Sequence, residues 1–408
     1  MRKRILGLLC LGLAWHALPA AAAGGLEGVS VSGFLTAGAT YGDKQLLPDT
    51  KAVSQDGTIE NTPGFTADSR LGLQISAKVN PDISVTGQLL AKAREDNSNV
   101  KADWAFVSYR VNDPISIRAG KIKFPTFLIS DYYEVGYAYP WIRPPQEVYS
   151  SNPITTLNGV DMLARFRLGD MSLLVQPYYG VSRGAQALVP QEVINMVPGA
   201  AQCTGGPPAT CTIFGSSPGT IAYVDFSADA LHGINLSLSS DIFTVRAGAL
   251  RTKVNAPAFG VFQDTAKFSS VGVTMDWHNV VLYSEAFKRE IEGGANVAFP
   301  NQKGSYATLG YRIGKWLPHF TTARIGDNNN PTTPPPGFPF AGTPLEQTSK
   351  TLGLRYEVSS GAALKFEAQK VTPKDGTRGL LIAPPSSSAA KDPGSNVMIY
   401  GISLDVVF

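Results

Sequence analysis

Charge is scarce in this chain. Asp, Glu, Lys and Arg make up 16% of its 408 residues, against ~25% in ordinary soluble proteins. The 35 basic and 32 acidic residues leave a formal charge of only +3. That is too little for a protein that holds nucleic acid on a basic field. Cysteine is also rare, with three in all, which excludes a disulfide-dense scaffold. After residue 23 no apolar run approaches the ~18 residues of a transmembrane helix. There is no H-E-x-x-H zinc motif and no P-loop. Length alone would divide the chain into two or three soluble domains, but β-barrels run longer as one unit.

The N-terminus has the layout of an export signal. Arg2, Lys3 and Arg4 precede an apolar stretch from Ile5 to Leu18, and Pro19 leads into Ala20–Ala23. A positive n-region, a short h-region and small residues at the end predict a cleavable peptide over residues 1–23. Cys10 sits mid-stretch behind Leu9, so a lipoprotein reading lacks its small preceding residue. Removing the signal leaves 32 basic against 32 acidic residues, a formally neutral mature chain. Cys203 and Cys211 lie in a Gly/Pro-rich segment of that exported chain and are expected to form one local disulfide. A zinc pair is the other reading, but no neighbouring His or third Cys completes a site.

What the sequence has in quantity is short segments alternating with period two. Val29, Val31, Leu35, Ala37 and Ala39 interleave with Ser30, Ser32, Thr36 and Thr40; Leu71, Leu73, Ile75 and Ala77 interleave with Arg70, Gln74, Ser76 and Lys78. Each reads as a strand with one apolar and one polar face. Gly (41) and Pro (29) are plentiful, and the connections alternate in kind. Tight turns are expected at Asn80-Pro81-Asp82, Asn112-Asp113-Pro114, Gly169-Asp170, Ser239-Ser240-Asp241, His278-Asn279, Gly314-Lys315 and Ser359-Ser360-Gly361. Long loops are expected at about 42–66, 94–99, 124–156, 182–221, 253–266, 290–303, 325–349 and 371–396. Seven turns and eight loops join sixteen strands. The fold class is therefore all-β: a transmembrane antiparallel β-barrel over residues 24–408, with short periplasmic turns and long extracellular loops. Sixteen strands leave an aqueous channel where eight would fill their own lumen.

The final strand makes the likeness specific. Tyr400, Ile402, Leu404, Val406 and Phe408 share one face, Gly401, Ser403 and Asp405 the other, and the chain ends on Phe408. This resembles the assembly signal of Gram-negative outer-membrane proteins. With sixteen strands and a long loop after the fifth, residues 25–408 resemble the Gram-negative porins, by pattern rather than by a local motif. The resemblance implies an outer-membrane location among its lipids, and recognition of the last strand by the barrel assembly machinery. It also implies a homotrimer, and a third long loop that folds inward to narrow the channel. Small hydrophilic solutes would pass by passive diffusion, with no cofactor, no metal and no catalysis.

In that loop, Asp131, Tyr132, Tyr133, Glu134, Tyr137, Tyr139, Trp141, Arg143 and Glu147 are the candidate constriction residues. Asp131 and Glu134 are expected to face a basic wall. A loop so rich in aromatics must pack on something; a cover over the mouth and a subunit contact are the alternatives. The inward, pore-lining face is read as Arg70, Lys78, Lys92, Asp103, Arg110, Arg118, Asp161, Arg165, Arg167, Arg246, Asp276, Glu285, Arg312, Arg355 and Lys365. Asp68, Asp229, Arg289, Glu357, Glu367 and Asp405 join it. Such charges are expected to need a wet lumen, and twelve basic against nine acidic favours anions weakly. Arg70, Arg110, Arg118, Arg165 and Arg167 form a basic wall similar to that of general porins, although Arg70 lies at the outer end of its strand and Arg110 and Arg118 flank an inner turn. A substrate-specific channel with an aromatic-lined constriction is the second reading. A hydrolase is the third, resting on Gly215-Ser216-Ser217-Pro218-Gly219, where Pro218 removes the N–H an oxyanion hole would use. Asp327-Asn328-Asn329-Asn330 is read as a solvated loop rather than a Ca²⁺ site.

Overall fold

A computed structural model describes residues 28–43, 51–53, 58–59, 61–93, 99–190, 221–257, 261–293, 300–328, 346–374, 379–382 and 396–408. Sixteen antiparallel strands close into one barrel. In chain order they are β1 (Val29–Gly42), β2 (Arg70–Lys78), β3 (Ile83–Lys92), β4 (Asn99–Arg110), β5 (Ile115–Lys123), β6 (Thr156–Leu168), β7 (Met171–Pro190) and β8 (Ile221–Ser239). The circuit continues through β9 (Phe243–Ala256), β10 (Val261–Trp277), β11 (Val280–Ile291), β12 (Gln302–Tyr311), β13 (Trp316–Asp327), β14 (Gln347–Ser359), β15 (Ala362–Pro373) and β16 (Val397–Val407). Each strand pairs with its sequence neighbours, and β1 closes the ring on β16 in the register Phe34↔Val407 to Gly42↔Ile399. The terminal Phe408 completes the seam: its N–H donates to the Gly33 carbonyl at 3.0 Å and its carbonyl accepts from the Gly33 N–H at 2.8 Å.

The two faces of the wall have reversed polarity relative to a soluble sheet. Large apolar side chains lie exposed on the outside, among them Val31, Ile75, Val271, Leu309, Leu352 and Ile402. The buried, inward positions carry Thr36, Gln88, Asp161, Gln176, Glu285 and Asp405. An apolar exterior around a polar interior is the pattern that hydrocarbon outside and polar matter inside would select.

Seven connections are short: residues 79–82, 111–114, 169–170, 240–242, 278–279, 312–315 and 360–361. Local chemistry closes them. Asn80 Oδ1 accepts from the N–H groups of Asp82 and Ile83, and Asn112 Oδ1 accepts from the N–H of Ile115. Gly169, Gly314, Gly361 and His278 supply the positive φ that such turns require.

At the opposite end the strands reach further than the sequence predicts. β7 continues to Pro190, and β9 and β10 leave only residues 257–260 between them, where a loop over 253–266 is expected. Thr252, Val254 and Ala256 are still buried in alternation; the polar and proline residues around them disguise a ladder that simply continues. A three-stranded sheet of Lys51–Val53, Thr58–Ile59 and Leu381–Ile382 also joins the first and last long connections. Its strands are too short to carry a period. The predicted signal at 1–23, Cys203, Cys211 and the segment Gly215–Gly219 lie outside the described residues.

Gly120 combines a left-handed backbone with a close approach to its neighbouring strand. Its φ is +134°, and a Cβ there would stand 2.3 Å from the Ala105 carbonyl oxygen. Replacing Gly120 with Ala is expected to cost ~1–3 kcal/mol through backbone strain alone. It should lower the temperature at which the barrel loses its compact mobility in mild-detergent electrophoresis. A wild-type transition in that variant would refute the assignment.

Candidate functional site

The segment between β5 and β6, residues 124–155, runs inside the barrel. Three short helical turns shape it: Ser130–Tyr132, Gly136–Ala138 and Gln146–Tyr149. Pro125, Pro140, Pro144 and Pro145 keep longer helix from forming.

Aromatic packing seats the loop against one side of the wall. Phe127, Tyr133, Tyr139, Trp141 and Tyr149 form one buried cluster with Phe268 (β10), Phe287 (β11) and Tyr306 (β12). Phe127 meets Phe268 edge-on at 5.3 Å between ring centroids, and Trp141 meets Tyr283 at 4.8 Å and Tyr306 at 5.6 Å. The Trp141 indole N–H donates to the hydroxyls of Thr308 and Thr321 at 3.0 and 3.1 Å. These rings are spent on holding the loop. Trp141, Tyr139 and Tyr149 are each 1% exposed, so they do not present an aromatic lining to a solute.

Polar wall residues clamp the loop backbone. Glu285 accepts from the Leu128 N–H at 2.8 Å and from the Tyr149 hydroxyl at 2.9 Å. Glu367 accepts from the Ile142 N–H at 2.9 Å. Lys365 donates to the carbonyls of Gly136 and Trp141, both at 2.6 Å, and pairs with Asp405 at 2.9 Å. Arg355 donates to the carbonyls of Tyr137 and Tyr139, while Arg289 donates to that of Ser151. Arg143 pairs with Asp68 at 2.5 Å, and Gln347 donates to Glu147 at 2.7 Å. Burial pushes the Glu147 carboxyl up from its ordinary range, against hydrogen bonds from Gln347 and Ser349.

On the opposite side of the lumen the main contact with the loop is a carboxylate amid cations. Glu134 lies 3.0 Å from Lys92 (β3), 3.6 Å from Lys123 (β5) and 3.8 Å from Arg70 (β2). Burial alone would raise its carboxyl; the three cations overcome this and hold it well below the usual carboxylate range. Lys123 also pairs with Asp103 at 2.6 Å, and Arg70 donates to the Tyr139 hydroxyl at 2.6 Å.

Several sequence expectations change here. Glu134 does face a basic wall, but its partners are Arg70, Lys92 and Lys123 rather than the arginines of β4–β6. Asp131 turns the other way and pairs with Arg246 of β9 at 2.8 Å. Arg110 sits at the short-turn rim with Asp82, and Arg118 pairs with Asp161 at 2.5 Å. Arg70, Lys92, Asp103, Asp161, Arg246, Glu285 and Lys365 are all buried. Ion pairs, wall side chains and loop groups engage them. Lys78, Arg165, Arg167, Asp276 and Arg312 stay exposed, the last two paired at 2.6 Å. Alternation along β5 turns Ile122 inward and so predicts Lys123 outward, yet both are buried; Lys123 is the last paired residue of the strand, where parity no longer fixes the face. Asp131, Tyr132, Val135, Tyr137 and Ala138 form one stretch of the loop that stays at least partly exposed. Tyr137 is tied down by a hydrogen bond to Glu357.

No protein-family model matches this sequence, and no curated protein matches it. Solved structures do. The anion-selective porin from Comamonas acidovorans superposes with a TM-score of 0.55 at 13% identity, covering 93% of this chain and 99% of that one. Outer-membrane expressed OmpT of Vibrio cholerae gives 0.54 at 12% identity over 93% and 97%. The outer-membrane channel DcaP of Acinetobacter baumannii gives 0.52 at 11% identity, again over 93% and 97%. At these identities the likeness is one of fold: this chain has the porin-type sixteen-strand barrel.

Trp141→Ala is expected to remove ~3–5 kcal/mol of loop anchoring. Limited proteolysis of the folded barrel should then cut within residues 124–155 well before wild type is cut. Equal resistance would show that the aromatic cluster does not hold the loop.

Proposed function

We propose that a barrel of this porin-type fold is an outer-membrane channel for passive diffusion of small hydrophilic solutes or ions. The observation that carries the proposal is closure at sixteen strands, a circumference that one inward loop narrows but does not by itself fill. The apolar exterior supports a membrane location, with the short turns facing the periplasm and the long loops facing outward.

The loop's placement sets the constriction. Its aromatic side packs on β10–β13, so solutes pass its other surface, between Asp131, Tyr132, Val135, Tyr137 and Ala138 and the wall of β5–β7. On that wall Arg118, Arg165 and Arg167 share the inward face with Asp161. Asp161 is engaged by Arg118 and by the Gln176 amide. Arg165 and Arg167 are exposed and confer a modest preference for anions, limited by screening over ~8 Å in physiological salt. Burial of the loop aromatics favours this general channel over a substrate-specific, aromatic-lined one. The reading is of a channel and not a catalyst. A homotrimer is the proposed assembly, in line with the Vibrio cholerae OmpT structure described as a trimer form.

Purified protein in planar bilayers should give stepwise, ohmic conductance with a reversal potential weakly favouring anions. Changing Arg165 and Arg167 together to Glu should move the reversal potential toward cations while steps persist. A bilayer that stays closed, or a reversal potential indifferent to both substitutions, would sink the reading. Native mass spectrometry of the same preparation should weigh three chains; a single-chain mass would remove the trimer.

A further inference from the structure

Two small cavities lie behind the loop, between its last helical turn (Gln146–Tyr149) and the wall of β13–β16. The larger is about 20 Å³, with Arg143, Gln146, Glu147, Gln347 and Gln369 in its lining. Ile59 and Leu381 of the small three-stranded sheet also border it. The smaller is about 10 Å³ and shares Arg143, Gln146 and Gln369 with it. A cavity of roughly 10–15 Å³ admits one water-sized body, so the larger holds one.

The polar groups around the larger cavity are unbalanced. Glu147 is 0% exposed. Its Oε1 accepts from the Gln347 amide at 2.7 Å, and its Oε2 has no hydrogen-bond partner among the described residues. Gln146 is also buried. Its amide nitrogen donates to the Pro144 carbonyl at 3.1 Å, which fixes the orientation of the amide and leaves Oε1 without a partner. Gln347 cannot relieve either oxygen further, because its own Oε1 is held by the Leu380 N–H at 2.8 Å. Two buried acceptors thus line one water-sized space. No cation pairs with Glu147 among the described residues, and the nearby Arg143 guanidinium is committed to Asp68 at 2.5 Å. A buried carboxylate without a counter-charge costs several kcal/mol.

We infer that this cavity is a site for a monovalent alkali cation, held by Glu147 Oε2 and Gln146 Oε1. One carboxylate balances one positive charge. Ca²⁺ takes about six to eight oxygens, with carboxylates prominent among them, and no His or Cys lines the cavity to favour a transition metal. A water there would bond both oxygens but leave the carboxylate charge uncompensated. K⁺ has close to the radius of water and brings the missing charge. The ion would fasten the loop at Gln146–Glu147 to β14, beside the small sheet. The inference does not rest on the channel reading, because the cavity belongs to the folded barrel whether or not the lumen conducts.

The test uses the full-length folded protein in a non-ionic detergent, with K⁺ as probe and N-methyl-D-glucamine keeping ionic strength constant. Proteolytic cutting within residues 124–155 should slow along a saturating curve as K⁺ replaces the organic cation. At ten times the half-saturating concentration the slowing should be roughly tenfold. E147Q keeps the shape of the side chain and removes its charge; its cutting rate should be the same in both cations. Q146M should weaken the response, and E290Q, which alters an exposed carboxylate bound to Lys288, should keep it. Crystals soaked in thallous acetate should show an anomalous peak between Glu147 and Gln146 in wild type and none in E147Q. Equal cutting of wild type in the two cations would mean that a proton or a water occupies the site and would overturn the inference. So would a K⁺ response that survives E147Q, one that vanishes in E290Q, or a thallium map without that peak. None of these readouts is a conductance, so a closed bilayer would sink the channel and leave the cation site standing.

Discussion

Backbone hydrogen bonding governs this molecule. A sheet whose outer face is apolar has no water to satisfy an open edge, so every strand must find a neighbour on both sides. The seam between β1 and β16, with Phe408 bonded to Gly33, is where that requirement is met last. Once the ring is closed, alternation along each strand assigns every side chain to the apolar exterior or the polar interior, and a register slip of one residue would exchange them all. The loop and its clamps depend on that assignment.

Within the ring the loop at 124–155 is held asymmetrically. Its aromatic side is packed against β10–β13, where rings and backbone clamps exclude water. Its other side is joined to β2, β3 and β5 chiefly by Glu134 amid three cations, with Arg70 also bonded to the Tyr139 hydroxyl. Buried charges of this kind are tolerated because each has a partner of opposite sign or a backbone group to bond. They are structural supports for the loop, and the inward charges left exposed are a smaller and more basic set. Charge on the inside thus does two jobs, separated by whether the loop covers it.

Much of the architecture was legible in the chain. Period two, turn residues such as Asn80 and Asn112, and the alternation from Tyr400 to Phe408 are local signals, and local signals survive in a linear reading. So does the parity that puts Arg70, Lys92, Asp161, Glu285 and Lys365 on the inside. The partners were not legible. Glu134 with Lys123, Asp131 with Arg246, and Trp141 with Thr308 and Thr321 join residues across the lumen, and nothing in the spacing of a loop says which wall it will lean on. The small sheet of Lys51–Val53, Thr58–Ile59 and Leu381–Ile382 escaped for the same reason.

By itself the sequence determined the barrel: low charge, alternating segments and tight turns at alternate connections leave little else for a sheet of this size to be. Alternation is a property of neighbours in the chain, and it is enough to assign faces. Which inward charges are bathed and which are buried was decided only by the tertiary structure. That depends on what lies across a lumen, and such distances exist only after the ring has closed.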